Sequence, residues 1–340
     1  MRAVIHTETG GPEVLRLVDR PVPEPGPGEV RVRIRVSGVN PTDWKSRSGA
    51  TAAPADASER VPNQDGAGEV DALGLDAEGL APGQRVWVWE AAYGRPTCGT
   101  AQDYVVLPQR NVVPLPDGVS YDIGASLGVP ALTAHRLLTV HEDGPTRLGP
   151  SALKDRIVLV AGGAGAVGHA TIQLACWAGA TVITTVSSPE KAELARRAGA
   201  HHVVVYMAQD AVAAIRDVAP GGVDLVAEVA PGPNARLDAA VVAPHASVAV
   251  YANNGGDSMT IPVRAHMTPN TRYQFVLVYT VPDPAKTAAV EDVTAAAAAG
   301  VLGVGDEAGL PLHRYPLELT ADAHAAVEAG AVGKVLVDLD

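Results

Sequence analysis

Residues 157–168 read IVLVAGGAGAVG, and this stretch decides the fold. The uninterrupted apolar run Ile157–Ala161 is typical of a strand that both faces of a parallel sheet bury. Glycines follow it at once, and the segment His169–Ala178 has the pattern of a helix. The sequence therefore predicts a buried strand, a tight turn and a helix in direct succession.

The turn has the spacing G-x-G-x-x-G, carried by Gly163, Gly165 and Gly168. In such a turn the first glycines let the backbone approach a pyrophosphate, and the last lets the helix pack against the strand. The helix N-terminus then offers N–H groups to the anion. A glycine-rich turn without a ligand is the other interpretation, but the position between strand and helix favours dinucleotide binding. The predicted contacts are Gly163, Gly165, Ala166, Val167 and Gly168.

Strands and helices alternate on either side of this turn. From about Tyr121 onward, apolar strands and helical segments follow one another, which indicates a doubly wound parallel sheet. The first 120 residues are β-rich: Glu29–Val36 reads EVRVRIRV, a strand with one wet face, and Val61–Val70 is predicted to be a glycine-rich turn region. We predict an α/β protein in which a last strand, Lys334–Leu339, rejoins the β-rich part.

Composition limits the possible functions. A chain of 340 residues favours two domains, and a net charge of −12 makes nucleic acid and anionic membranes poor partners. The segment Ile157–Pro189 lacks Asp, Glu, Lys and Arg, but five glycines interrupt it, so we predict no membrane span. Two cysteines, Cys98 and Cys176, provide neither a disulfide framework nor a cysteine-rich metal site. No secretory signal is evident, and we expect a cytoplasmic protein.

The end of the second predicted strand bears on the choice of cofactor. A site for NAD places Asp or Glu about 20 residues beyond the glycines, where it binds the ribose 2′-hydroxyl. Here the strand ends at Val186, and Ser187 and Ser188 follow, with Lys191 close behind. Hydroxyls and a cation suit a 2′-phosphate, so we predict NADPH. The other interpretation is that Lys191 belongs to a solvated helix face.

Six short motifs resemble, in order along the chain, those of a known family. They are Ser37–Asp43 (SGVNPTD), Gln64–Gly68 (QDGAG), Leu132–Ala134 (LTA), Ala161–Gly168 (AGGAGAVG), Ala198–Val203 (AGAHHV) and Gly333–Val335 (GKV). This pattern, which covers nearly the whole chain, resembles the zinc-independent, zeta-crystallin-like quinone oxidoreductases of the medium-chain dehydrogenase/reductase superfamily.

The resemblance implies an architecture and a set of cofactor contacts. A GroES-like catalytic domain would comprise residues 1–126 and 281–340, and a Rossmann NADPH-binding domain residues 127–280, with the substrate in the cleft between them. The 2′-phosphate would meet Ser187, Lys191 and Tyr206, and the nicotinamide and its ribose would meet Thr133, Val229 and Asn253. For Val229, an ordinary buried strand end is the competing interpretation.

The same resemblance bears on metals. Zinc-dependent relatives would have Cys, His and Cys at the positions aligned with Asn40, Gln64 and Val129. Because none of these three is a thiolate or an imidazole, and a structural zinc needs four clustered cysteines, we expect no zinc of either kind.

Three residues are candidates for catalysis. Asn40 can donate an amide hydrogen bond to a carbonyl oxygen, and Asp43 can hold the loop or its neighbour in place. Lys45 stands where bacterial quinone reductases usually have tyrosine, and it can supply a cation or a proton to an enolate. The competing interpretations are a turn-forming Asn40 and an exposed Lys45.

The hypotheses about activity rank in the following order. The first is an NADPH-dependent, metal-free reductase of quinones or other α,β-unsaturated carbonyls, in which the protein positions the acceptor for hydride transfer. The second, motivated by Lys45, is an enone or enoyl-thioester reductase of a biosynthetic pathway. The third is a non-catalytic NADPH-binding protein. The resemblance further implies a homodimer through the strand predicted at Arg272–Tyr279.

Overall fold

A computed structural model describes residues 1–51 and 59–339 of the chain. The chain divides into two compact units, Met1–Val129 with Pro311–Asp340, which we call the β-rich unit, and Pro130–Leu310, which we call the parallel-sheet unit. The strands are, in chain order, β1 (Arg2–Ile5), β2 (Arg16–Asp19), β3 (Glu29–Val39), β4 (Asp65–Leu73), β5 (Arg85–Val88), β6 (Tyr104–Pro108), β7 (Val112–Pro114), β8 (Ile157–Ala161), β9 (Thr181–Val186), β10 (His202–Val205), β11 (Val223–Glu228), β12 (Val242–Val250), β13 (Arg272–Phe275), β14 (Leu312–Pro316) and β15 (Lys334–Asp338).

The helices connect these strands. They are α1 (Pro41–Ser48), α2 (Tyr121–Ser126), α3 (Leu132–Leu138), α4 (Ala166–Trp177), α5 (Pro189–Arg197), α6 (Ala211–Val218), α7 (Pro231–Val241), α8 (Val263–Met267), α9 (Asp283–Ala298) and α10 (Thr320–Glu328). Within residues 1–51 and 59–339, no helix combines the length and the apolar character that crossing a bilayer requires.

The β-rich unit is built from both ends of the chain. Its main sheet has the order β14-β15-β3-β4-β5-β7, and β6 also pairs with β3. The alternation predicted from EVRVRIRV is confirmed, since Val30, Val32 and Ile34 are at most 1% exposed and face the core. Strand β15 runs antiparallel to β3, with Val335 opposite Val39, so the predicted return of the C-terminal strand is also confirmed.

The prediction of a turn region over Val61–Val70 is wrong for its second half, where β4 begins at Asp65. Strand β4 pairs antiparallel with β3. Its glycines are a consequence of that close pairing, because a Cβ on Gly68 would lie 1.9 Å from the Arg33 carbonyl oxygen. Glycine therefore marks a close approach of two backbones here and not a turn.

The parallel-sheet unit has the order β10-β9-β8-β11-β12-β13, with every neighbouring pair parallel. The chain runs outward from β8 to one edge and then from β11 to the other. This is the doubly wound arrangement that the sequence predicted, and its strand order reverses between β8 and β11. Ligands of such sheets bind outside the carboxyl ends of the strands at that reversal.

The chain passes from one unit to the other twice, and the position of the second passage differs from the sequence prediction. The chain returns to the β-rich unit at Pro311 and not at residue 281. Helix α9 accounts for the difference because it packs on α3 of the parallel-sheet unit. Its Asp292 accepts hydrogen bonds from His135 Nε2 at 2.8 Å and from the Leu148 amide at 2.6 Å. Strand β13 is also shorter than predicted, since it ends at Phe275 and a 3₁₀ turn follows at Val278–Thr280.

Candidate functional site

The glycine loop lies at the carboxyl end of β8, where the strand order reverses. Gly162 has φ of +72°, in the left-handed region that favours glycine. A Cβ on Gly163 would lie 2.2 Å from Thr184 Oγ1 of β9, and a Cβ on Gly168 would lie 2.4 Å from the Gly162 carbonyl oxygen. Packing against β9 therefore requires glycine at position 163, and packing within the loop requires it at position 168.

Gly165 is different because open space surrounds it. It is the N-cap residue of α4, with φ of −84°, and the nearest atom to a Cβ built there is the Gly162 carbonyl oxygen at 3.5 Å. Ala166 and Val167 form the first turn of that helix and are half-buried. First-turn N–H groups have no intrahelical acceptor, so this edge offers an unhindered backbone cradle to an anion.

The residues predicted to hold a 2′-phosphate lie together at the carboxyl ends of β9 and β10. Lys191 Nζ donates to Ser187 Oγ at 3.0 Å. Ser188 caps α5 by accepting from the Lys191 amide at 3.3 Å, and its hydroxyl holds the pKa of the exposed Glu190 carboxyl below its usual range. Tyr206 follows β10, donates its amide hydrogen to the Val186 carbonyl at 3.1 Å, and is 49% exposed.

The residues predicted near the nicotinamide come from three separate segments of the same unit. Val229 directly follows β11, and a Cβ on Gly162 would lie 3.2 Å from its Cγ1, so it borders the glycine loop. Asn253 lies in the exposed loop after β12, where its side chain donates to Asp257 Oδ1. Thr133 is buried in the first turn of α3, a helix that packs against β11. Sequence and structure agree that Val229 stands at a strand end.

Asn40 and Asp43 lie in the β-rich unit, at the start of α1. Asn40 is the N-cap residue of α1. Its backbone N–H donates to Asp43 Oδ2 at 2.7 Å, and this hydrogen bond fixes the first turn of the helix. Both side chains are buried, at 2% and 3% exposure. Lys45 is half-buried one turn further along, with Nζ 5.9 Å from the centre of the Trp44 ring.

The structure adds two residues to Asn40 and Asp43 that the sequence had not singled out, Asp65 and Lys334. Asn40 Nδ2 donates to Asp65 Oδ2 at 2.7 Å, and Lys334 Nζ donates to Asn40 Oδ1 at 2.7 Å. Asp65 and Lys334 are at most 1% exposed. We call these four residues the Asn40 cluster. Both new members sit inside quoted motifs, but nothing in the spacing shows that an aspartate and a lysine, usually solvated residues, would be buried.

Burial shifts the acid–base behaviour of the cluster. It raises the pKa of Asp43 to about 8, with the negative charge of Asp65 as the second cause. Burial also raises the pKa of Asp65 to about 6, against the opposing positive charge of Lys334. Loss of solvation lowers the pKa of the Lys334 ammonium, which the two carboxylates oppose.

Asp65 is held by a close turn of the backbone. The Val129 amide, in a π-helical turn at Leu127–Ala131, donates to both Asp65 carboxylate oxygens at 2.9 Å. A Cβ on Gly128 would lie 2.0 Å from Asp65 Oδ1, so only glycine permits this approach. Asp65 thus has partners on both of its oxygens.

The donor set here does not suit a zinc ion. The three positions that would carry ligands in zinc-dependent relatives are Asn40, Gln64 and Val129, and the Asn40 oxygen already accepts from an ammonium group. Within residues 1–51 and 59–339, no group of three His, Cys, Asp or Glu side chains is placed to bind a metal. A second cation at this point would be repelled by Lys334.

Comparison with known proteins agrees with this two-part organisation. A family described as "Alcohol dehydrogenase GroES-like domain" matches residues 26–117, and one described as "Zinc-binding dehydrogenase" matches residues 166–295. The chain is 31% identical to a quinone oxidoreductase of Rattus norvegicus over 99% of its own length and 97% of the relative. It is 31% identical to a 2-methylene-furan-3-one reductase of Solanum lycopersicum over 61% of this chain and 52% of the relative. Among solved structures, a mycobacterial protein complexed with NADPH has a TM-score of 0.83, 28% identity and full coverage of both chains.

Together these findings define the class as an oxidoreductase that combines a GroES-like domain with a Rossmann domain. Within that class, the chain belongs to the quinone oxidoreductase family of the medium-chain dehydrogenase/reductase superfamily.

Proposed function

We propose that this oxidoreductase uses NADPH, without a metal ion, to reduce quinones or related α,β-unsaturated carbonyl compounds by hydride transfer. The observation that best supports this proposal is the pairing of a hydroxyl and an ammonium group at the end of β9, where Lys191 Nζ lies 3.0 Å from Ser187 Oγ. A phosphate group accepts strong charge-assisted hydrogen bonds from such a pair. The mycobacterial protein of similar structure is complexed with NADPH, which supports the same cofactor here.

The glycine loop fits a dinucleotide. Space around Gly165 leaves the backbone open to a pyrophosphate, and the N-terminal turn of α4 would complete its binding. Ser187, Lys191 and Tyr206 would hold the 2′-phosphate, while Thr133, Val229 and Asn253 would hold the nicotinamide end. When bound, the cofactor supplies a hydride.

The β-rich unit would handle the acceptor. Of the two amide hydrogens of Asn40, one already goes to Asp65. We propose that the second stabilises the negative charge that develops on the acceptor oxygen, while Lys334 and Asp65 keep the amide oriented. Lys45, on the half-buried side of α1, would add a positive charge near the same oxygen.

An enone reductase is the second candidate. The similarity to a 2-methylene-furan-3-one reductase favours it, because that name denotes an α,β-unsaturated ketone. Lys45 supports it too, since a cation can stabilise an enolate. The two candidates share one cofactor and one set of residues and differ in the acceptor.

The deciding experiment follows NADPH oxidation with 1,4-benzoquinone and with an enone offered separately, after treatment with EDTA. We expect turnover that survives EDTA. A preference for the enone of about a hundredfold in kcat/KM would assign the second function instead, because kcat/KM measures discrimination between acceptors. NADPH binding without oxidation by either acceptor would contradict both.

We further propose a homodimer that works in the cytoplasm. Strand β13 is the edge of the parallel sheet; Phe275, its last residue, is 62% exposed, and Leu277 just after it is 56% exposed. An apolar sheet edge is suited to pairing with a second copy. Cys98 and Cys176 are free thiols, as is usual in a reducing compartment.

A further inference from the structure

The Asn40 cluster contains an imbalance of charge. Its ionisable members are two carboxyl groups, Asp43 and Asp65, and one ammonium group, Lys334, and each is at most 3% exposed. With all three ionised, the cluster would carry one uncompensated negative charge away from water. Because burying an unpaired charge is costly, a proton on one carboxyl group is the favoured state.

Hydrogen bonding identifies which carboxyl group holds that proton. Both oxygens of Asp65 accept hydrogen bonds, from the Asn40 amide group and from the Val129 backbone. Asp43 Oδ2 accepts from the Asn40 backbone amide, and the Gln64 backbone also favours the ionised form, but within the described part of the chain Asp43 Oδ1 has no hydrogen-bond partner of ordinary geometry. The ionised form is thus satisfied at Asp65 and incompletely satisfied at Asp43. The pKa of Asp43, raised by burial to about 8, agrees with this assignment.

Asp43 also borders a pocket of the β-rich unit. The pocket encloses about 350 Å³ including its opening, and its lining includes His6, Asp43, Ser46, Arg60, Asn63 and Gln64. His6 Nδ1 lies 2.9 Å from the Glu8 carbonyl, and burial lowers the pKa of this imidazole, so His6 is neutral at pH 7. The charged groups that face Asp43 are therefore Asp65, Lys334 and the Arg60 guanidinium at the pocket wall.

We propose that Asp43 is the general acid of the reaction and gives its buried proton to the acceptor oxygen. This inference rests on the proposed function. The hydride and its electron pair form a new C–H bond at the β carbon of the acceptor, the alkene π electrons become the C–C π bond of the enolate, and the carbonyl π electrons move to oxygen. The O–H bond of Asp43 then breaks as its proton joins that oxygen, and solvent later returns a proton to the carboxylate. Asp65 and Lys334 act as positioning residues: the negative charge of Asp65 favours the proton on Asp43, whereas Lys334 opposes it and orients the Asn40 side chain.

The first test replaces the acid by its isostere. The Asp43→Asn side chain keeps an oxygen that can accept the hydrogen bond from the Asn40 backbone N–H, but it has no acidic proton to give. We expect the single-turnover rate of acceptor reduction to fall about a hundredfold, the lower end of general-acid contributions, with NADPH affinity unchanged. The control is Asp71→Asn, because Asp71 is an aspartate of the same unit that pairs with Arg31 near the surface and should leave the rate unchanged.

The second test replaces two charged neighbours of Asp43, Asp65 and Lys334, which should shift the pH dependence of the reduction rate in opposite directions. The wild-type rate should fall as pH rises through about 8, because only the protonated form of Asp43 is active. Asp65→Asn removes a negative charge and should move this fall to lower pH. Lys334→Met removes a positive charge and should move it to higher pH, in each case by roughly one pH unit. A purely structural role would not produce shifts of opposite sign.

Infrared spectroscopy detects the proton on the Asp43 carboxyl group directly and does not require catalytic turnover. A protonated carboxyl group gives a carbonyl stretching band, and we expect Asp43→Asn to remove one such band at pH 7. Asp238, whose pKa burial raises to about 8, should contribute a separate band that Asp238→Asn removes.

The outcomes separate the two proposals. Wild-type protein that reduces neither acceptor contradicts the proposed function. Wild-type turnover that Asp43→Asn leaves intact, or a wild-type spectrum without the Asp43 band, overturns the general acid alone.

Discussion

The Lys334 ammonium donates to the Asn40 side-chain oxygen over 2.7 Å, although 294 positions separate the two residues in the sequence. The antiparallel pairing of β15 with β3 brings them together, because Val335 lies opposite Val39. The same ammonium also donates to the Val39 carbonyl at 3.2 Å. The amide that we propose to meet the acceptor is therefore oriented from the C-terminal end of the chain.

Asn40→Ala should impair chemistry more than cofactor binding. We expect kcat to fall at least about tenfold, since the lost hydrogen bond acts on developing charge, while the Kd for NADPH stays the same. Steady-state kinetics and fluorescence titration with NADPH measure the two effects. Asn111→Ala is the matched control, because Asn111 is a buried asparagine of the same unit that donates to the Trp89 carbonyl. Equal losses of kcat in both variants would reduce Asn40 to a structural residue.

Lys191→Ala should discriminate between the two nicotinamide cofactors. The KM for NADPH should rise about tenfold, the scale of one charge-assisted hydrogen bond, and the KM for NADH should change little because NADH lacks the 2′-phosphate. Arg196→Ala serves as the control, since Arg196 lies on the same helix but pairs with Glu193 at 3.6 Å. A similar change for both cofactors would remove Lys191 from the phosphate site.

Gly165→Ala and Gly163→Ala should separate cofactor binding from folding. Alanine fits at position 165, where the nearest atom would lie 3.5 Å away, so thermal stability should hold while NADPH affinity falls about tenfold. Alanine at position 163 would collide with Thr184 Oγ1 and should lower the Tm by several degrees. Thermal unfolding and NADPH titration of both variants provide the measurement. Unchanged NADPH affinity in Gly165→Ala would refute the proposed backbone cradle.

Phe275→Asp should change the assembly. A carboxylate at the exposed edge strand would repel its symmetry mate across a twofold axis, so we expect a monomer by light scattering coupled to gel filtration. Leu75→Asp is the control, because Leu75 is 77% exposed in the β-rich unit and should leave the dimer intact. A dimer that persists in Phe275→Asp would exclude pairing through β13.

The features of the fold that depend on local pattern were predictable from the sequence. The apolar run IVLVA, the glycine spacing after it and the alternation in EVRVRIRV each appear in the structure as predicted. The grouping of hydroxyls and a cation that we propose as the phosphate site also depends on local sequence, since Ser187 and Lys191 are four positions apart at one strand end. Helix α9 could not be assigned to its unit in this way, because its Asp292 finds its partners His135 and Leu148 far away in the chain.

The sequence alone determined which segments become buried strands and where the glycine loop lies between a strand and a helix, because hydrophobic periodicity, apolar runs and glycine spacing act over a few residues. Only the tertiary structure decided that Gly66 and Gly68 belong to a strand, and that Asp65 and Lys334 are buried beside Asn40. The physical reason is that burial of a charge depends on partners from distant segments. A lysine at the start of a strand is ordinarily solvated, and here the pairing of β15 with β3 buries it against Asn40, where the charges of Asp43 and Asp65 act on it.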